Sequence, residues 1–286
     1  MRLLLISFLL VPASLFAQGY DIYLFDVDQD FRLVRQVTDR EGYDNQPAFT
    51  LDSQALMFSS DRAGERTDLF RYRISDGQLA NLTKTPEENE FSPQPFGHDR
   101  FSYVLQEGNP YQHLWHQAYE GGEAQRLLTS YVPVGYYARN DKGVLFWGRY
   151  AYSLFFEPTG ADIGPGGGES LYVIDQAGRS IHAIPGSDHF SFVHKQSDWN
   201  WVIKRFDPVE KSMIPLVSIS ADNEDYCWHP DGFMITASGT KLLQFQPGVD
   251  EDWRDLALLE APGLDKGGRC AVSPDGRFLA LVSLRP

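Results

Sequence analysis

Three neighbouring residues, Ser187, Asp188 and His189, have the side-chain types of a nucleophilic triad. Neighbours along a chain do not form a triad, because its geometry needs side chains that converge from separate segments. The sequence also contains no Gly-x-Ser-x-Gly turn, which would expose a nucleophile after a strand. We therefore predict no catalytic residue.

Carboxylate and histidine side chains are the usual ligands of a metal ion, but their spacing here identifies no site. Asp26, Asp28 and Asp30 resemble the start of a calcium loop, yet Phe31 and Val37 stand where that loop needs Gly and Glu. No Cys and His residues have the spacing of a zinc site. The sequence therefore predicts no metal and no cofactor.

One group of residues suited to ligand binding lies near the start of a predicted insertion, residues 148–169, which ends in a Gly-rich run. Arg149, Tyr150 and Phe155 provide a cation and two aromatic rings, the types that often contribute most of a binding energy. We expect them to contact a ligand. The alternative is that Phe155 and Phe156 only attach the insertion to the domain.

A second group of residues lies on or beside short segments that are predicted to be strands. It consists of His189, His229 and Arg269. If those strands line one channel, the three side chains converge on a ligand there. The alternative is that they are polar groups of a solvated channel.

Internal repeats are the main signal for the fold. Val37-Thr38, Leu82-Thr83 and Leu128-Thr129 recur at spacings of 45 and 46 residues. Each is followed by a polar stretch and short apolar segments, with tight turns such as Asp76-Gly77 between them. No sustained helical periodicity is present in residues 18–286. The repeats therefore predict an all-β domain of four short strands per unit.

The last repeat indicates how the domain closes. It provides two strands, within 269–283, and then the sequence stops. Residues 20–27 and 33–37 have the pattern of the two missing strands. A unit shared between the two ends closes a ring and removes its open edges. We therefore predict one six-bladed β-propeller over residues 18–286.

The middle repeats are less regular. In the third, residues 171–174 and 180–184 are predicted to be the third and fourth strands, with the insertion before them. In the fourth, three strands are predicted, within residues 190–219.

The turn and strand motifs resemble those of the TolB-like propeller family, whose repeats are similar to WD repeats. Ser273-Pro274-Asp275-Gly276 and His229-Pro230-Asp231-Gly232 match the family's turn. Ser60-Asp61-Arg62-Ala63-Gly64 matches the end of its apolar strand, and Thr67-Asp68-Leu69-Phe70 the strand that follows. The predicted strands begin soon after residue 17, so the resemblance does not extend to the extra N-terminal domain of TolB.

Residues 1–17 have the composition of a secretory signal: Arg2, an apolar run and Ala17 before the expected cleavage. We therefore expect a periplasmic or secreted domain. No second long apolar stretch follows, so no membrane insertion is predicted. The net charge of -14 disfavours nucleic acid and anionic membranes as partners.

Cys227 and Cys270 precede two similar turns but are offset by one residue. That offset puts the side chains on opposite faces of a sheet, which favours two separate buried thiols. Export also permits a disulfide, so both states remain open.

The resemblance, the predicted signal and the missing catalytic motif together favour a monomeric, non-catalytic scaffold that binds a protein or peptide in the cell envelope. The alternative is a propeller enzyme of the lyase or lactonase type. Such an enzyme would act on a carbohydrate-derived substrate with a metal in the central channel.

Overall fold

The computed structural model describes residues 19–108, 111–158 and 170–285. The predicted signal peptide and the Gly-rich run 160–169 lie outside these ranges. The strands of the described residues are β1 (Tyr20–Asp26), β2 (Arg32–Gln36), β3 (Asp44–Phe49), β4 (Ala55–Ser60), β5 (Asp68–Arg73), β6 (Leu79–Asn81), β7 (Asn89–Pro95), β8 (Arg100–Gln106), β9 (Gln112–Ala118), β10 (Gln125–Arg126), β11 (Val134–Asn140), β12 (Gly143–Gly148), β13 (Ser153–Pro158), β14 (Leu171–Ile174), β15 (Ala177–Ala183), β16 (Phe190–Lys195), β17 (Trp201–Asp207), β18 (Ser212–Ile219), β19 (Tyr226–Trp228), β20 (Met234–Ser238), β21 (Lys241–Phe245), β22 (Arg254–Leu258), β23 (Gly267–Val272) and β24 (Phe278–Leu284).

These strands form six four-stranded antiparallel sheets, the blades of a propeller. Blade I is β3–β6, blade II β7–β10, blade III β11–β14, blade IV β15–β18 and blade V β19–β22. Blade VI combines β23 and β24 with β1 and β2. The first strand of each blade is the inner one and lines the central channel. The predicted six-bladed propeller is confirmed.

Strand β1 closes the ring against β24. Tyr20 pairs with Leu284 at one end of the ladder, and Asp26 pairs with Phe278 at the other. Strand β1 is therefore the third strand of blade VI and β2 the fourth, as the sequence predicts.

The apolar core is divided among the blade junctions, because each sheet buries both of its faces. Along β8, Phe101, Tyr103 and Leu105 pack toward blade I, whereas Val104 packs toward blade III. This alternation follows from the two-residue period of a strand. Corresponding apolar clusters fill the other junctions around the ring.

The threonines of the repeat connect the outer and third strands of their blades. Thr38 Oγ1 follows β2 and accepts a hydrogen bond from Ile22 N of β1 at 2.9 Å. Thr83 Oγ1 follows β6 and accepts from Leu69 N of β5 at 3.1 Å. In these two blades, the recurring threonine is bonded at the point where the chain leaves for the next blade.

The prediction for blades III and IV was wrong by one strand. Strand β13, whose residues were read as the base of an insertion, is the third strand of blade III. Its Leu154 and Phe156 pack toward blade IV, and Phe155 packs on the other face. Strand β15 is accordingly the inner strand of blade IV rather than the outer strand of blade III. The predicted insertion therefore begins after β13.

Cys227 and Cys270 are buried free thiols, and they lie in the same cluster between blades V and VI. The Cys270 thiol donates to Ile235 O at 3.7 Å, and Cys227 lies close enough to raise the pKa of that thiol. The one-residue offset does place them on opposite sheet faces. Opposite faces of neighbouring blades, however, face each other, so the offset brings the thiols together.

Within the described ranges, no helix has the length and apolar character needed to cross a membrane.

Candidate functional site

A cavity of about 1000 Å³ opens at the end of the channel where the inner strands begin. We call it the upper funnel. It lies mainly over blades III and IV and is lined by connections that precede inner strands and by turns between second and third strands. Its aromatic lining residues are Tyr43, Phe91, Tyr136, Trp147, Tyr150, Tyr152 and Trp201. Five glutamines, Gln46, Gln106, Gln112, Gln176 and Gln196, also line it.

An ionic network crosses the funnel wall between blades IV and V. Arg179 donates through Nη1 to Glu224 Oε1 at 2.8 Å and through Nη2 to Asp225 Oδ2 at 2.9 Å. Lys195 Nζ lies 3.1 Å from Glu224 Oε2 and 4.0 Å from the centre of the Trp201 ring. The side chain of Glu224 is only 6% exposed. Glu224 is therefore a buried carboxylate held between two cations at the funnel surface.

Gly178 makes room for this carboxylate. A Cβ at position 178 would overlap Glu224 Oε2. The same oxygen accepts a hydrogen bond from Arg179 N at 3.0 Å. The backbone of β15 can therefore approach Glu224 closely only because residue 178 has no side chain.

Arg269 lies deeper, on the inner strand of blade VI. It donates to Asn45 Oδ1 at 3.0 Å and to the Tyr136 hydroxyl at 2.9 Å, and its Nε lies 3.9 Å from Asp225 Oδ1. Burial lowers the pKa of the Arg269 guanidinium, but Tyr136, Asp225 and Tyr43 together raise it above its ordinary value. Burial raises the pKa of Tyr43 to about 12. Arg269 is thus a permanent cation that connects its own blade VI to blades I, III and V across the channel.

Arg149 and Tyr150 lie at the funnel rim. Arg149 donates a hydrogen bond to Gln112 Oε1 at 2.6 Å, and this bond connects blade III to blade II. The guanidinium carbon of Arg149 lies 5.5 Å from the centre of the Tyr150 ring. Tyr152 is 64% exposed beside Trp147, and Trp199 in the next turn is 87% exposed. The rim of blades III and IV therefore presents several aromatic surfaces to solvent.

The other three predicted ligand contacts lie elsewhere. Phe155 stacks on Phe146, with ring centroids 5.7 Å apart, within the sheet of blade III. His189 lies in the β15–β16 turn, at the opposite end of the channel, and pairs with Asp207 at 3.2 Å. His229 is at that end too and is buried against Phe233. Of the six predicted residues, Arg149 and Tyr150 meet at the funnel and Arg269 lies below them.

The histidines therefore do not converge with the channel carboxylates. In the part of the chain that the structure describes, no group of three or more His, Cys, Asp or Glu side chains is placed to hold a metal ion. Glu224 and Asp225 instead face arginine and lysine. The funnel is chemically suited to hold polar and aromatic groups by hydrogen bonds and stacking.

Sequence reasoning missed Arg179, Lys195 and Glu224. Arg179 escaped notice because its segment was read as an outer strand. Glu224 lies two residues before the inner strand β19, and Tyr43 lies one residue before β3. That position, just before an inner strand, is the sequence signal that identifies funnel residues once the strands are assigned correctly.

No family model and no curated protein matches this chain in sequence. Solved structures do resemble it. A putative TolB from Agrobacterium tumefaciens aligns over 94% of this chain and 99% of its own, with TM-score 0.71 and 12% identity. An oligogalacturonate lyase in complex with manganese aligns over 94% and 83%, with TM-score 0.56 and 14% identity. A gluconolactonase from Xanthomonas campestris aligns over 87% and 88%, with TM-score 0.59 and 15% identity. At these identities the likeness establishes the propeller fold alone, which this chain shares with the putative TolB, the lyase and the gluconolactonase.

Proposed function

We propose that this chain is a non-catalytic binding module whose upper funnel holds a segment of a protein or peptide partner. The observation that carries the proposal is the composition of the funnel: exposed aromatic rings and glutamine amides around an ionic network whose members are already paired. The proposal includes a location outside the cytoplasm, in the periplasm or secreted, which is supported by the signal-like residues 1–17.

Glutamine amides suit a peptide because each has a donor and an acceptor, as a peptide bond does. The side chains of Gln106 and Gln176 make no hydrogen bond within the described ranges and remain available to a ligand. Tyr152 and Trp199 offer large, rigid surfaces for apolar side chains, with little conformational entropy to lose on binding. A funnel of about 1000 Å³ accommodates several residues of an extended segment.

The paired state of the carboxylates supports binding rather than catalysis. A general acid or base works best with a pKa near the operating pH, and burial next to like charge is the common way to reach it. Glu224 is instead paired with two cations, Arg179 and Lys195, and not with a like charge. The alternative of a carbohydrate-active enzyme rests on channel histidines that converge with carboxylates, and His189 and His229 lie at the end of the channel opposite the funnel.

Site-specific photo-crosslinking in cells that export the full chain tests the proposal. A photoreactive phenylalanine analogue replaces Tyr152 at the funnel rim or, as the matched control, Tyr172, which is 60% exposed on the outer strand β14. We expect one discrete protein or peptide adduct from position 152 that is absent from position 172. Identical adducts at the two positions, or none at position 152, would contradict a partner in the funnel.

A further inference from the structure

A cluster of basic side chains lies at the other end of the molecule, between blades II and III. Arg100 begins β8, and His116 lies in β9 opposite Ser102. Arg139 is near the end of β11. We call Arg100, His116 and Arg139 the lower basic cluster. It is separate from the upper funnel, although Arg139 also lines a second cavity of about 350 Å³ in the lower channel.

Strand geometry points all three side chains into the same junction. Ser102 bonds to the Tyr137 hydroxyl at 2.9 Å, so this face of β8 is turned toward blade III. Arg100 shares that face because it lies two residues before Ser102. Arg139 lies two residues after Tyr137 and is turned toward blade II in the same way.

Phe96 connects the members of the cluster. Its ring centroid lies 4.6 Å from that of His116 and 4.3 Å from the guanidinium carbon of Arg139. Phe96 N also donates to Arg100 O at 2.8 Å. A guanidinium that stacks on an aromatic face keeps its own N–H groups free, because they lie in the guanidinium plane. Those groups can donate two parallel hydrogen bonds to an oxyanion.

Within the described ranges no carboxylate is in ion-pair contact with this cluster, although the charge of Asp141 acts on Arg139 from a longer distance. Arg100, His116 and Arg139 form no ion pair or side-chain hydrogen bond there, although Asp99 and Asp141 are close in sequence. Arg100 Nε and His116 Nδ1 are buried without a partner, and His116 is only 9% exposed. Burial lowers the pKa of Arg139, and burial together with Arg100 and Arg139 lowers that of His116.

Such an arrangement is unusual in a chain whose net charge is -14. Arg62, by contrast, is neutralised by the buried carboxylate of Asp44 at 2.8 Å. Buried donors that lack a partner cost free energy until a ligand satisfies them. We propose that the lower basic cluster is an anion-binding site that takes an oxyanion of the phosphate or sulfate type. Its charge-assisted hydrogen bonds come from the two arginines, with the His116 ring as a further donor.

Calorimetric titration of the intact protein with inorganic phosphate, and separately with sulfate, tests the proposal. Chloride keeps the ionic strength constant and serves as the competing anion. We expect one saturable site per chain. Substitutions R139Q and R100Q should each weaken it by about ten- to a hundredfold, the factor that a charge-assisted hydrogen bond contributes. The matched control is R71Q, because Arg71 lies over the Tyr119 ring at 5.4 Å on the other side of blade II. That substitution should leave the affinity unchanged.

Histidine NMR provides a second measurement that does not depend on the variants. A bound oxyanion favours the charged ring, so phosphate should raise the pKa of His116 and tighten binding as the pH falls. The proposal is wrong if the wild-type protein shows no saturable phosphate or sulfate binding. It is also wrong if R139Q and R100Q, folded by circular dichroism, bind as tightly as R71Q.

Discussion

Arg179 and Glu224 are joined at 2.8 Å across the junction of blades IV and V, and their contact forms part of the funnel wall. Substitution E224A would leave Arg179 and Lys195 without this shared carboxylate. We expect the free energy of unfolding to fall by about 1–3 kcal/mol, less than for a fully buried pair. The reduction is smaller because Arg179 is 37% exposed and partly screened by solvent. Urea unfolding measures this difference.

The matched control is D255A, which breaks the solvent-exposed pair of Lys241 and Asp255. That change should alter stability by less than about 0.5 kcal/mol. Equal effects of E224A and D255A would mean that Glu224 does not support the funnel wall.

Gly178 provides a second test of the same wall. Because a Cβ there overlaps Glu224 Oε2, G178A should displace the carboxylate, destabilise the protein by more than about 1 kcal/mol and weaken crosslinking at position 152. G64A is the control, because a Cβ at Gly64 meets no atom within 4 Å. Thermal unfolding of the two variants should differ clearly. A G178A variant as stable as G64A would show that the carboxylate can move without cost.

Glu90 predicts a pH dependence of stability. This residue of β7 is fully buried at the junction of blades I and II, and burial, aided by the nearby Asp68, raises its pKa to about 7. A carboxyl group with a raised pKa in the folded state stabilises the protein below its unfolded pKa. That contribution is lost as the pH rises through about 7. The loss between pH 4.5 and 8 should reach up to about 3 kcal/mol.

Substitution E90Q removes the titrating group and should make the protein more stable than wild type at pH 8, with a flatter dependence on pH. Guanidinium unfolding between pH 4.5 and 8 measures both curves. The exposed Glu87 supplies the control, E87Q, which should follow the wild-type curve. Parallel curves for wild type and E90Q would mean that Glu90 does not titrate in this range.

Cys227 and Cys270 should be unreactive in the folded protein. Burial raises the pKa of the Cys270 thiol well above its usual value, and the neighbouring Cys227 raises it further. Little thiolate is therefore available to a labelling reagent. We expect both thiols to react with Ellman's reagent only after unfolding. An engineered exposed thiol, Y172C, should react at once in the folded state. An intact mass two hydrogens lower than that of the reduced chain would instead reveal a disulfide.

The repeats were sufficient to predict the ring and its closure, because strand period, turn residues and the recurring threonines are local properties of the sequence. The assignment failed at Leu154, Phe155 and Phe156. A run of apolar residues between glycines reads equally well as a loop anchor or as a strand buried on both faces. Only the packing of Phe156 against Phe190 and Phe206 resolves the choice.

The candidate site was harder to predict than the fold. Arg149 and Tyr150 were found by residue type, but His189 and His229 were not separated from the funnel residues. Whether a residue near an inner strand lies at its beginning or its end depends on strand boundaries, which are the least certain part of a sequence reading. Contacts such as Arg269 with Asn45 join segments from opposite ends of the chain, and no local pattern encodes them.

The shared blade also makes closure of the ring depend on strands that are far apart in the sequence. Because β1 pairs with β24, the first of the described strands has to wait for the last of them before its ladder forms. Until then, β1 exposes an unpaired apolar edge, which is the kind of surface that aggregates or recruits chaperones. Once the ladder forms, a blade can separate from the ring only if the pairing between β1 and β24 breaks. We therefore expect the protein to fold slowly. We also expect the folded protein to persist as much because it unfolds slowly as because its free energy of unfolding is large.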